Sequence, residues 1–149
     1  MNIMQVICNS ITGRSIPAIV RLPGESDETR FTPLVVGGKY IVYGLMFMCK
    51  RVDYLVSPDD NGPCWMPGNL FDVIDSFLPN LEICLVEKDL NYRRLFTEFG
   101  ITGLLGYSEL VNNYQHYEGI LERNPIHLYQ FFTHKKVMDE KVACVNGGR

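Results

Sequence analysis

Residues 62–75 read "GPCWMPGNLFDVID". Trp65, the only tryptophan of the chain, stands just before Pro67-Gly68-Asn69, and Leu70, Phe71, Val73 and Ile74 follow. A helix interior tolerates this poorly, since proline and glycine cost roughly 3 and 1 kcal/mol there relative to alanine. Proline presets φ for a turn, glycine relaxes the backbone after it, and an asparagine side chain can bond back to the main chain. The stretch therefore predicts a tight turn at 67–69 leading into a strand over 70–75. Upstream, "GGKYIVYGLMFM" (37–48) and "VDYLVS" (52–57) flank the polar "CKR" and predict a hairpin. "PDDNGP" (58–63) carries an Asn-Gly turn signal, and "IMQVIC" (3–8) is a short apolar run fit for a buried strand. Turn signals about every eight to twelve residues are the pattern of a small antiparallel barrel or sandwich.

"LEICLVEK" (81–88) reads as one more strand. In "DLNYRRLFTEFGITGLLG" (89–106) the first half suits a helical turn, while Gly100, Gly103 and Gly106 favour strand and loop in the second. After that the hydrophobic period changes. Ser108 can cap a helix carrying Leu110, Tyr114, Tyr117 and Leu121. Asn124 and Pro125 then suit the N-cap and first turn of a second helix, with Ile126, Tyr129, Phe132 and Val137 assigned to its apolar side. The expected fold is α+β. A small antiparallel β-barrel spans 1–88, a strand/loop and two-helix extension spans 89–143, and a frayed tail spans 144–149.

The chain of 149 residues suits a single domain that needs no covalent staples. A net charge of −3 gives no electrostatic case for nucleic acid or an anionic membrane as partner. The cysteines Cys8, Cys49, Cys64, Cys84 and Cys144 are odd in number, widely spaced and without a Cys-x-x-Cys pair. No signal peptide or long apolar span is legible, so a cytoplasmic protein with reduced thiols is expected. No cofactor motif is present: "TGLLGYS" lacks the lysine of a phosphate loop, and no Gly-x-Ser-x-Gly elbow occurs. His127 and His134 lie seven apart on one helix face, with no nucleophile or acid at matching spacing. A metal role for Cys64 or Cys84 with His116, His127 or His134 lacks the local pairing such sites show, Asp59 with Asp60 lacks a third carboxylate, and no metal is expected. What remains is binding surface. Glu25, Asp27 and Glu28 form one acidic loop, Asp59 and Asp60 another, and Trp65 is of the residue type that anchors interfaces.

From Pro67 onward, "CWMPGNLFDVID" is similar to the turn that joins the last two strands of SH3-like barrels. The loop 14–33 has no tyrosine, and Leu70 stands where a polyproline groove would have one, so polyproline recognition is not implied. The order of "MQVICNSITGRSIP", "VGGKYIVYGLMF", "CWMPGNLFDVID" and "GYSELVNNYQHYEGILERNP" resembles small bacterial immunity proteins of polymorphic, contact-dependent toxin systems, over residues 4–135. That resemblance implies a non-catalytic cytoplasmic protein that binds a cognate toxin domain, a basic nuclease being one such partner, and blocks its site. It assigns no residue by position. Another SH3-like interaction module or a mobile-element accessory protein is the alternative, and an enzyme with an unrecognised site is a third class.

Overall fold

In a computed structural model of the chain, residues 4–76 and 81–147 are described, with side chains as far as residue 140. Ile3 of the expected first strand and the side chain of Cys144 lie outside that set. The strands are β1 (Gln5–Cys8), β2 (Lys39–Ile41), β3 (Gly44–Met48), β4 (Arg51–Val56), β5 (Cys64–Pro67), β6 (Phe71–Asp75), β7 (Glu82–Leu85) and β8 (Ile101–Gly106). The helices are α1 (Arg93–Phe99), α2 (Ser108–Asn112), α3 (Tyr114–Leu121) and α4 (Pro125–Gly147). The turn expected at 67–69 is a single 3-10 turn at Gly68–Leu70, and it leads directly into β6.

The expected SH3-like barrel is not formed. The strands make two open antiparallel sheets, ordered β2-β1-β6 and β5-β4-β3-β8-β7. The expected single curled sheet of residues 3–8, 39–48, 51–57 and 70–75 is thus divided between them. The physical reason lies in β3. Its first edge pairs with β4 in the anticipated hairpin, Met46 opposite Asp53 and Met48 opposite Arg51. Its second edge is taken by β8, Leu45 opposite Leu105, and β8 then carries β7. Closure would need that edge to reach the three-stranded sheet, and a strand from far along the chain occupies it instead.

Strand alternation splits the apolar residues between two cores. Leu45, Val56 and Met66 face one core together with Val6, Cys8, Ile16, Leu70 and Phe71, so residues of both sheets build it. Their chain neighbours Met46, Leu55 and Trp65 face the other, where Leu104 and Cys84 meet Leu95, Leu110, Tyr117, Ile120 and Phe131 from the helices. Each large side chain buried in this way contributes about 1.5–3 kcal/mol.

Three local expectations shift for local reasons. The single helix expected from Ser108 breaks at Asn113, whose side chain accepts from the N–H groups of Gln115 and His116 and caps α3. The charged tip "GESDETR" (24–30) of the loop 14–33, expected from the sequence to be exposed and mobile, is held at Glu25 by Arg51, and the loop before it is tied down: Arg21 donates to the carbonyls of Ile16 and Gly13, and Ile16 is fully buried. On α4, Asn124 accepts from the N–H of Ile126 as expected of an N-cap. Of the residues assigned to its apolar side, Phe132 is half-buried against the core, whereas Ile126, Tyr129 and Val137 are exposed; the helix instead turns buried Phe131 inward, with half-buried His127, His134 and Met138. Treating histidine as a surface residue selects the wrong stripe, because these two histidines face the polar side chains of α2 and α3.

Candidate functional site

One face of the five-stranded sheet is not fully roofed by helices. Antiparallel register puts directly opposed residues on the same face, so Met46, Asp53 and Pro67 line up across β3, β4 and β5, as do Met48 with Arg51 and Leu55 with Trp65. Two short helices stand beside this floor. Gly100, at φ 72°, ends α1 in the left-handed conformation and lets the chain turn at once into β8. Leu95, Glu98 and Phe99 of α1, Tyr114, Tyr117, Glu118 and Leu121 of α3, and Leu22, Glu25 and Phe31 of the pinned loop wall a cleft of about 710 Å³. That volume is within the range of ligand sites, roughly 300–1,000 Å³. A second depression of about 280 Å³ adjoins it, shares Leu22, Met48, Arg51 and Phe99, and extends the groove past Ile19 and Lys50.

Arg51 closes the polar end of the cleft. Its side chain is 3% exposed, so the charge must be paired. Nε donates to Asp53 Oδ1 at 2.7 Å, Nη1 to Glu25 Oε1 at 2.5 Å and to the Val20 carbonyl, and Nη2 to Glu25 Oε2 at 2.9 Å and to Asp53 Oδ2. Every N–H of the guanidinium is thereby engaged. Burial opposes ionisation of Glu25, but its bonds to Arg51 and to the Leu22 N–H outweigh burial and hold its pKa below the ordinary range. Asp53 goes the other way: burial, with the Glu25 charge nearby, lifts its pKa against the pull of Arg51. Burial likewise opposes the Arg51 charge, yet the two carboxylates raise its pKa.

Trp65 sits between cleft and core. Its ring lies against Tyr117, centroids 6.4 Å apart, and the indole packs on the core beneath the helices. Its Nε1 is buried, with no acceptor among the described residues.

Of the residues expected to bind a partner, the structure brings Glu25 and Trp65 to this cleft. Asp27 is an exposed carboxylate paired with Arg21, and Glu28 is exposed. Asp59 and Asp60 lie in the β4–β5 turn, away from the cleft lining, where Asp59 accepts from the backbone and side chain of Asn61. Sequence reading missed Arg51 and Asp53, which it had assigned to a polar turn and the strand after it. Two opposite charges at i and i+2 within a β run share one face of the strand, and that spacing was the available signal.

A second polar cluster joins α4 to the helices before it. Gly119 makes the approach possible, since a Cβ there would lie 2.2 Å from the His127 ring. His116 is fully buried, with Nε2 at 2.7 Å from the Tyr107 hydroxyl and Nδ1 at 3.3 Å from His127 Nδ1. His127 Nδ1 also meets Gln130 Oε1 at 3.0 Å, while His134 stacks on Tyr107 and pairs with Glu109. Only one proton fits between two Nδ1 atoms at that separation. Burial pushes the pKa of His116 below the ordinary histidine value; His127 and His134 add to this, against the pull of Glu109. Folded His116 thus binds fewer protons than unfolded His116, and stability rises with pH across the window between the two pKa values. We expect the melting temperature to hold above about pH 6.5 and to fall as pH is lowered from there toward the folded pKa. The drop should shrink in His116→Gln, and an equal drop in both proteins would assign the effect to other groups.

Among the described residues, no group of three or more His, Cys, Asp or Glu side chains is placed to hold a metal ion. No helix among them is long and apolar enough to cross a membrane. Comparison of the chain with protein-family models, with curated proteins and with solved structures finds no match. The resemblance to polymorphic-toxin immunity proteins is therefore not sustained: the SH3-like barrel it rested on is replaced by two open sheets, and no matching relative stands behind it.

Proposed function

We propose that this protein is a non-catalytic, stoichiometric binding protein that seats an apolar segment of a protein partner in the groove beside Trp65, and that covering part of the partner is how it acts. The observation that carries this reading is the form of the groove. Its floor and walls are mainly apolar, and large apolar side chains continue onto the rim, where Leu22, Phe99 and Leu121 are exposed. Two confluent depressions suit a length of chain better than a compact molecule. The one buried ionic cluster in the cleft is engaged with itself: Arg51 spends its donors on Glu25 and Asp53, which leaves no donor of that guanidinium to polarise a substrate.

Trp65 fluorescence offers a direct test, because no other tryptophan contributes. Short random peptides displayed on phage and selected on the intact protein should yield binders that perturb this emission at one peptide per protein. Leu121→Glu, which puts a charge on the apolar rim, should weaken them at least tenfold, while Asp60→Asn, in the β4–β5 turn, should leave them unchanged. Failure to select any peptide that perturbs Trp65, or turnover of a substrate by the purified protein, would overturn the reading.

A further inference from the structure

Resting on that reading, we infer that the cleft beside Trp65 selects a segment carrying a basic side chain, a lysine or arginine flanked by large apolar residues. Charge complementarity inside an apolar, aromatic-walled space favours such a segment. Four carboxylates, those of Glu25, Asp53, Glu98 and Glu118, line the cleft against two guanidinium groups, those of Arg51 and Arg94, an excess of two negative charges. Arg51, the buried cation, has no donor left for an anion from outside, while Arg94 is exposed on the rim and shared with Glu98, 3.6 Å away and one helical turn on. Inside the cleft an acidic ligand would have to break the buried Arg51 pairs to be received, whereas a basic one meets the surplus carboxylate charge. The half-buried Trp65 in the lining adds to this, since aromatic rings attract cations, more strongly where water is excluded. The adjoining depression differs, because exposed Lys50 lies there, so the two ends of the groove differ in charge and would set the direction of a bound chain.

The peptide selection tests this separately from the binding reading itself. Selected sequences should be enriched in Lys and Arg and depleted in Asp and Glu. In a synthetic copy of the best binder, changing the basic residue to norleucine should weaken binding several-fold, and changing it to Glu should weaken it more. Glu118→Gln should weaken the basic peptide about three- to fivefold, as expected for losing one rim charge. It should leave the norleucine peptide unaffected. Peptides that bind without charge preference, or a preference for acidic peptides, would overturn this inference and leave the binding reading standing. Benzyltrimethylammonium binding as tightly as the peptide would overturn the peptide as the source of the cation. A selection that yields no binders would overturn both readings.

Discussion

Replacing Arg51 by methionine should cost the fold about 3–5 kcal/mol, the usual penalty for removing one partner from a buried charge cluster. Methionine fills most of the volume, so the loss is electrostatic. Glu25 and Asp53 would be left facing each other with only backbone donors and solvent to share. The pH dependence gives the diagnosis. Without the guanidinium, both carboxyls would have folded pKa values above their unfolded ones, so the variant should regain stability as pH falls through the carboxylate range. The parent should gain less, because its two carboxyls act in opposite directions: the raised pKa of Asp53 adds stability in acid, while the contribution from the lowered pKa of Glu25 is lost there. Urea midpoints of parent and variant, measured from pH 7 to pH 4, should therefore converge. The triple change Glu25→Gln/Arg51→Met/Asp53→Asn should recover at least half of the loss at pH 7, since the unpaired charges would be gone. A single variant as stable as the parent at pH 7 would mean that water reaches the cluster and the cleft is wetter than its burial implies.

The same cluster shows what could be read from the chain and what could not. Local chemistry was legible. Pro67-Gly68-Asn69 placed a turn where one occurs, Asn124-Pro125 placed the start of α4, and the glycines after Phe99 separated α1 from β8. Partner choice was not legible. Nothing in "ITGLLG" says that it will take the free edge of β3, more than fifty residues earlier, and that pairing alone turns a supposed barrel into two open sheets. Burial of polar residues was hidden for a related reason. Arg51, Asp53 and His116 look like surface residues until distant groups satisfy them: Glu25 from the loop for Arg51, and Tyr107 and His127 for His116. Glu25 and Trp65 of the cleft were legible from residue type, whereas Asp27, Glu28, Asp59 and Asp60, singled out in the same way, lie outside its lining. The floor that joins Glu25 and Trp65 depends on register across three strands.

Trp65→Ala should cost about 3 kcal/mol, at the lower end for deleting a large aromatic from a core, because one side of this ring borders the cleft rather than packed protein. Stability loss alone cannot separate a core residue from a binding residue, and Trp65→Phe is the variant that can. Phenylalanine keeps an aromatic face against Tyr117 and forfeits no hydrogen bond, since the buried indole N–H has no acceptor among the described residues. Removing an unsatisfied buried donor offsets part of the cavity left by the smaller ring. The folding cost of Trp65→Phe should therefore stay below about 1.5 kcal/mol, as for tolerated core swaps. Peptide affinity in that variant should fall as well, because phenylalanine presents a smaller cation-attracting face. Calorimetric melting and isothermal titration with the selected peptide would give the two numbers side by side. If Trp65→Phe destabilises as much as Trp65→Ala while peptide affinity is unchanged, then Trp65 belongs to the core alone, and the groove binds through the rim formed by Leu22, Phe99 and Leu121.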